Sequence, residues 1–302
     1  MDGTGQPTSG DPRLSTSHLL EQAANELLDP QARDLVAGLT WQALDAPVPD
    51  RYPVIRQGQG PLVLMLHGFD SCHLEFRRLA PLLKDRFSLV IPDLYGFGFC
   101  PRHEDANVGP DAVLKHLSQL LAVLPQDRPI GVIGASMGGA VAMELARQHP
   151  DRINRLLLLA PAGLDGKPMP LPPILDRLGV WFLSRPGVRR GLCRQAFAEP
   201  ATSVGDPEEQ IASLHLRVPG WGRTLAAFAR SGGFAGCGHP LPDQPLRVLW
   251  GQQDRILRPP QKRAALTLLG ERLEEIPNCG HLPHLDQPER VAETWRSMDA
   301  MA

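Results

Sequence analysis

Ile130–Gly139 reads IGVIGASMGG. Its first residues are apolar and β-prone, Gly134-Ala135-Ser136-Met137-Gly138 breaks the run, and AVAMELARQ continues with the composition of a helix. A serine in Gly-x-Ser-x-Gly between a strand and a helix sits on a turn so tight that flanking Cβ atoms would clash. Such a turn strains the serine backbone, exposes Oγ at the strand tip and sets the next N–H at a helix N-terminus. The pattern alone is weak. With 29 glycines and 12 serines in 302 residues, chance supplies it in roughly one chain in ten. The competing reading is a glycine-rich turn in any doubly wound fold, so the rest of the chain has to decide.

Around this stretch, apolar runs alternate with helical patterns. Tyr52–Arg56, Pro61–Leu66, Phe87–Ile91 and Arg155–Leu159 read as strands, and the last three suggest burial on both faces. Phe76, Leu79, Leu82 and Leu83 share a helical face, as do Val113, Leu114, Leu117, Leu120, Leu121 and Leu124 behind Pro110-Asp111. This rhythm predicts a mostly parallel α/β sheet covered on both sides. It breaks at Pro161. Residues 162–242 hold no buried-strand run, only a proline-rich stretch and helical pieces near 174–184, 187–198, 207–216 and 221–231. Strands return at Leu246–Trp250 and Arg272–Ile276, with helices over Pro259–Leu269 and Pro288–Met298. The expected organisation is a core of 51–161 and 243–302, a helical cap at 162–242, and an N-terminal extension at 1–50. In the extension, residues 1–14 are expected to be disordered, Ser15 or Ser17 to cap a helix running to Leu28, and a short helix to span Gln31–Leu39.

Composition narrows the class. A formal charge of −2 gives no electrostatic case for nucleic acid. Five scattered cysteines, odd in number and without metal-ligand spacing, read as reduced thiols in packing positions, with Cys72 close to the loop at 67–70. The opening residues lack a basic segment followed by an apolar core, and Leu156–Leu164 is too short to span a bilayer. The expectation is a soluble cytoplasmic protein, monomeric or homodimeric.

Two residues join Ser136. Asp254 follows one predicted strand and His281 follows the last, both at strand C-terminal ends, where open α/β sheets bind ligands. The order Ser…Asp…His suits a sheet of this kind. A serine hydroxyl needs a base to take its proton, histidine accepts and returns protons near neutrality, and a carboxylate fixes the histidine tautomer. Backbone N–H groups of Met137, after the serine, and Phe69, after His67-Gly68, are the candidates for an oxyanion hole.

In LHGF, PDLYGFGF, GASMGG, WGQQDRI and CGHLPHLDQPERV, in that order, the chain resembles the α/β-hydrolase superfamily from about residue 52 to 298. HGFDSCHLEFRRLAPLL, GFGFCPR and LRVPGW further resemble uncharacterised cyanobacterial and plastid hydrolases, some of whose wider relatives act on phytyl esters. Cys100 departs, standing where many relatives carry serine or threonine. The resemblance implies an esterase acting on a small apolar ester without metal or cofactor. Ser136 would attack, His281 shuttle the proton and Asp254 orient it. Rivals are C–C hydrolysis of the meta-cleavage type, cofactor-free haloperoxidase chemistry and a hydrolase-like receptor with slow turnover. Aspartate nucleophiles, as in dehalogenases and epoxide hydrolases, are disfavoured by Ser136.

Alternatives remain at several positions. Asp165 rivals Asp254 as the acid, and His284 is read as a supporting or surface group. His67 is expected to structure the loop after its strand or border the substrate pocket, and Asp93 to pin the loop that follows it. Trp181, Phe182, Trp221, Phe228 and Phe234 either line the pocket or form the core of the insertion. Arg185, Arg189, Arg190 and Arg194 form a solvated helix face or a docking face for anionic lipid or a carboxylated substrate, the latter a peripheral membrane contact.

Overall fold

The apolar runs become central strands, and alternate residues along each serve opposite faces. The computed structural model describes residues 12–299. Among these residues eight strands form one sheet: β1 (Leu39–Leu44), β2 (Asp50–Gln57), β3 (Leu62–Leu66), β4 (Ser88–Pro92), β5 (Ile130–Ala135), β6 (Ile153–Leu159), β7 (Leu246–Gly251) and β8 (Leu273–Ile276). Their order is β1-β2-β4-β3-β5-β6-β7-β8. The β1/β2 and β2/β4 pairs are antiparallel; every other neighbouring pair is parallel. This is the mostly parallel, helix-covered α/β architecture expected from the sequence.

On β3, Leu62, Leu64 and Leu66 enter one apolar cluster with Val132, Leu156 and Val248, while Val63 and Met65 enter another with Ile133, Leu157 and Leu249. Burial on both faces explains why these strands read as continuous apolar runs.

The N-terminal segment differs from expectation. Disorder over residues 1–14 lies outside the described residues up to 11, whereas Pro12–Glu26 is a helix, so Ser15 and Ser17 lie inside it rather than at its cap. Leu20, Ala23 and Leu27 are buried in the cluster that holds Val63. Asp29 caps the next helix, Pro30–Val36, accepting the N–H groups of Gln31 and Ala32 at 2.8 and 3.3 Å. Leu39–Leu44, expected to begin within a helix, is instead an edge strand paired with β2. The expected single helix through Phe76–Leu83 is a 3-10 turn, His73–Phe76, followed by the short helix Ala80–Leu83.

Between β6 and β7 the described chain adds no strand to the sheet. It forms helices at Pro173–Leu183, Pro186–Ala196, Pro200–Ser203, Asp206–Leu214 and Trp221–Ser231. Prolines in the first turn pre-set several of these starts.

Candidate active site

Among the described residues, four that are not glycine have positive φ: Asp70, Ser136, Ala160 and Asn278, at 50°, 50°, 42° and 52°. Each lies just beyond the C-terminal end of β3, β5, β6 or β8. Such backbone costs on the order of 1–3 kcal/mol per residue and gathers where a fold holds functional groups.

Ser136 has φ 50° and ψ −117° and immediately precedes the helix Met137–Gln148. Its flanking glycines are required by close approach. A Cβ on Gly134 would lie 2.4 Å from the Gly138 carbonyl oxygen, and one on Gly138 would lie 2.1 Å from that of Leu66. The Ser136 N–H donates to Leu159 O at 2.9 Å, and its own carbonyl accepts from Gly139 and Ala162. The turn is thus clamped between β3 and β6.

His281 and Asp254 are paired: Nδ1 lies 3.0 Å from Oδ2. A carboxylate can only accept, so Nδ1–H donates and Nε2 keeps a free lone pair in the neutral ring. Asp254 also accepts the N–H groups of Ile256 and Leu257 at 2.9 and 3.1 Å. Burial alone would raise its pKa, but the hydrogen bond and charge of His281 and these backbone donors outweigh it and hold the carboxyl below its usual range. The His281 N–H donates to Ala196 O at 2.8 Å, and a Cβ on Gly280 would meet that oxygen at 2.4 Å. The segment between β6 and β7 therefore braces the histidine loop. Asp165, the rival acid, is exposed, with His239 Nε2 4.0 Å from its carboxylate.

The loop after β3 is held from below. Gly68 lies against Ser136, since a Cβ there would meet the serine Cβ at 3.4 Å. Its N–H donates to Glu75 Oε2 at 3.1 Å, and Glu75 Oε1 lies 2.9 Å from His284 Nε2. Burial would raise the Glu75 pKa; the hydrogen bond and charge of His284, with His67 adding to them, bring it down to about 2. His284 is fully buried, which corrects the surface reading. Among the described residues, the N–H groups of Phe69 and Met137 donate to no protein acceptor, while Gly68 and Gly139 beside them are bonded.

His67 does not border a pocket. It is fully buried, with Nε2 accepting the Leu94 N–H at 3.0 Å and Nδ1 2.8 Å from the Gly68 carbonyl oxygen. Burial pushes its pKa down. It fixes the loop after β3 to the loop after β4, as its structural reading expected. Asp93 pins that second loop, accepting N–H groups of His73 and Phe99 at 2.6 Å each.

A cleft of about 680 Å³ is lined by Phe69, Pro161, Ala162, Met169, Phe228 and Phe234 and not by Ser136 or His281. It adjoins the Ser136 turn through Ala162, whose N–H donates to the Ser136 carbonyl oxygen. Phe69 packs against Phe97 and Phe228, with ring centroids 5.7 and 5.9 Å away. Of the aromatic candidates, Phe228 and Phe234 line this cleft, whereas Trp181 and Phe182 face outward. Trp221 is buried and donates Nε1–H to Asp70 Oδ1 at 2.8 Å. Outward-facing Trp181 and buried Trp221 correct the pocket-lining expectation.

That aspartate is a residue the sequence reading missed. Asp70 also meets His215 Nε2 at 3.1 Å and the Arg189 guanidinium, both from the segment between β6 and β7. Burial opposes its charge, but these donors bring its pKa to about 2. Arg189 is thus buried, against the expectation of a solvated face, while Arg190 pairs with Glu209 at 2.7 Å near the surface. The five cysteines are free thiols, four of them buried. Among the described residues, no group of three or more His, Cys, Asp or Glu is arranged to hold a metal ion, and no helix is long and apolar enough to cross a membrane.

Comparison with known proteins agrees with this architecture. An Arabidopsis thaliana protein, alpha/beta hydrolase domain-containing protein VTE7, is 27% identical over 250 residues, covering 80% of this chain and 74% of the relative. The 2-hydroxymuconate semialdehyde hydrolase of a Pseudomonas strain is 28% identical over 252 residues, covering 78% and 85%. Among solved structures, an esterase from Thermogutta terrifontis superposes with a TM-score of 0.69 at 26% identity, covering 87% of this chain and 98% of that one. The model of the alpha/beta hydrolase family matches residues 63–294. By that match the chain is a member of the alpha/beta hydrolase family.

Proposed function

We propose that the chain is a serine hydrolase that cleaves carboxylic esters through an acyl-enzyme. What supports this reading is that strained Ser136 and the paired His281 and Asp254 all follow the C-terminal ends of parallel strands, β5, β7 and β8. His281 Nε2 takes the Ser136 hydroxyl proton as Oγ attacks the acyl carbon. Asp254 holds the Nδ1 proton and steadies the imidazolium. The N–H groups of Phe69 and Met137 receive the oxyanion, a contribution of about 3–4 kcal/mol per donor in comparable sites. His281 then protonates the departing alkoxide, and the same base activates the water that frees Ser136.

The helices between β6 and β7 act as a cap. They supply Phe228 and Phe234 to the cleft and brace His281 through Ala196. An apolar cleft favours a substrate with a hydrophobic acyl or alcohol group.

A second reading is supported by the Pseudomonas relative: hydrolysis of a carbon–carbon bond in a vinylogous diketone by the same residues. A series of p-nitrophenyl esters of increasing chain length, run beside a dienol-diketone of the meta-cleavage type, separates the two. Turnover of esters with no loss of the diketone chromophore supports the ester reading. Diketone cleavage without ester turnover overturns it.

A further inference from the structure

The helix Pro173–Leu183, PILDRLGVWFL, is apolar around most of its circumference. Val180 and Leu183 pack against the core, and Asp176 is buried against Arg230. On the opposite side Ile174, Leu178 and Trp181, spaced by four and three, share one line, with Leu175 and Phe182 beside it. All five are between 52% and 74% exposed. Met169 and Leu171 extend this surface to the cleft, which both line. An outward apolar face of this extent marks contact with another apolar phase.

Charge identifies that phase. Of the six Lys and Arg in residues 165–194, Arg189 is buried on Asp70 and Arg190 pairs with Glu209, which leaves Lys167, Arg177, Arg185 and Arg194 as the basic rim. Among the described residues, Lys167, Arg177 and Arg194 make no ion pair, and Arg185 lies 4.1 Å over the Trp181 ring. A second copy of the chain would set one basic rim against another. The segment MDGTGQPTSGD at residues 1–11 has only Met1 as a large apolar residue with which to cover the face.

We propose that this helix docks the protein on an anionic lipid bilayer. Ile174, Leu178, Trp181 and Phe182 enter the interface, and the basic rim meets the headgroups. Docked this way, the Met169–Leu171 side of the cleft faces the bilayer, so a lipophilic ester passes from lipid to the Ser136 side without crossing water. That delivery step rests on the ester reading; the docking itself does not.

The test is co-sedimentation of the full chain with vesicles of phosphatidylcholine alone or mixed with phosphatidylglycerol. Partitioning onto the mixed vesicles is expected to be roughly tenfold stronger at low salt and to weaken as salt rises. The combined variant Ile174→Ser, Leu178→Ser, Phe182→Ser is expected to lose about tenfold in partitioning. It should retain the wild-type melting temperature and the hydrolysis of p-nitrophenyl acetate. Brominated lipid should quench tryptophan fluorescence in the wild type, and Trp181→Phe should remove that quenching. Equal partitioning onto neutral and anionic vesicles, or a triple variant that binds as the wild type does, overturns the proposal. So does a wild-type dimer that the triple variant dissociates while neither binds vesicles. A chain that binds vesicles but turns over no ester keeps the docking and removes only the delivery step.

Discussion

Arg189 and Asp70 form a buried ion pair that joins the helix Pro186–Ala196 to the loop beyond β3. Asp70 directly follows Phe69, so the pair ties the helical segment to one of the two N–H groups assigned to the oxyanion. Arg189 spends a second nitrogen on the Ala212 carbonyl, and Asp70 is completed by His215 and Trp221. Removing one member of such a pair leaves a buried charge uncompensated, at a cost of about 3–5 kcal/mol. Arg189→Ala is expected to lower the unfolding free energy by that order in urea titration. Arg189→Lys should recover only part, because a single ammonium cannot reproduce the guanidinium fork.

Glu75 makes a separate prediction with a sign that can be worked out. Its carboxyl sits at about 2 in the folded chain against an ordinary 4.5. A depressed carboxylate contributes stability that is fully present above the ordinary value and is lost as pH falls through the folded one. Glu75→Gln should therefore flatten the loss of stability between 4.5 and about 2, measured by denaturant midpoints across that range. Its weaker hold on Gly68 should also lower kcat by about tenfold with little change in KM.

His116 titrates in a different window. It is buried against the Tyr52 ring, neither nitrogen is hydrogen-bonded among the described residues, and burial brings its pKa down to about 4 from 6.5. Between those values the unfolded chain binds the proton and the folded chain does not, so stability falls as pH drops from 6.5 to about 4. His116→Phe should remove this slope while leaving hydrolase activity at neutral pH unchanged.

Phe234 borders the cleft without being deeply buried. Phe234→Ala is expected to shift preference toward longer acyl chains, seen as a lower KM for long p-nitrophenyl esters relative to short ones. The difference should be about 1–3 kcal/mol in kcat/KM ratio, with unfolding free energy nearly constant.

The parts of this molecule legible in its sequence are those governed by local pattern. Strands β3 to β6 announce themselves because both faces are buried, and the Ser136 turn because its glycines answer to steric contacts of 2.4 Å or less. Asp254 and His281 were legible from their positions just past strands, and the distance between them agrees with the pairing. Strand β1 was not legible, because Thr40, Trp41 and Gln42 lie on a half-exposed edge with little alternation. Nor was the Asp70 network, whose members are separated by 119 to 151 residues and carry no spacing signal. The Glu75–His284 contact was hidden for the same reason, and the Arg189 charge looked like any other on a basic helix.

Fluorophosphonate labelling tests whether Ser136 is the nucleophile. The wild type should take up one equivalent of probe and lose activity in step, Ser136→Ala should take up none, and Asp254→Asn should label far more slowly. Labelling that persists in Ser136→Ala would mean that another residue is the nucleophile.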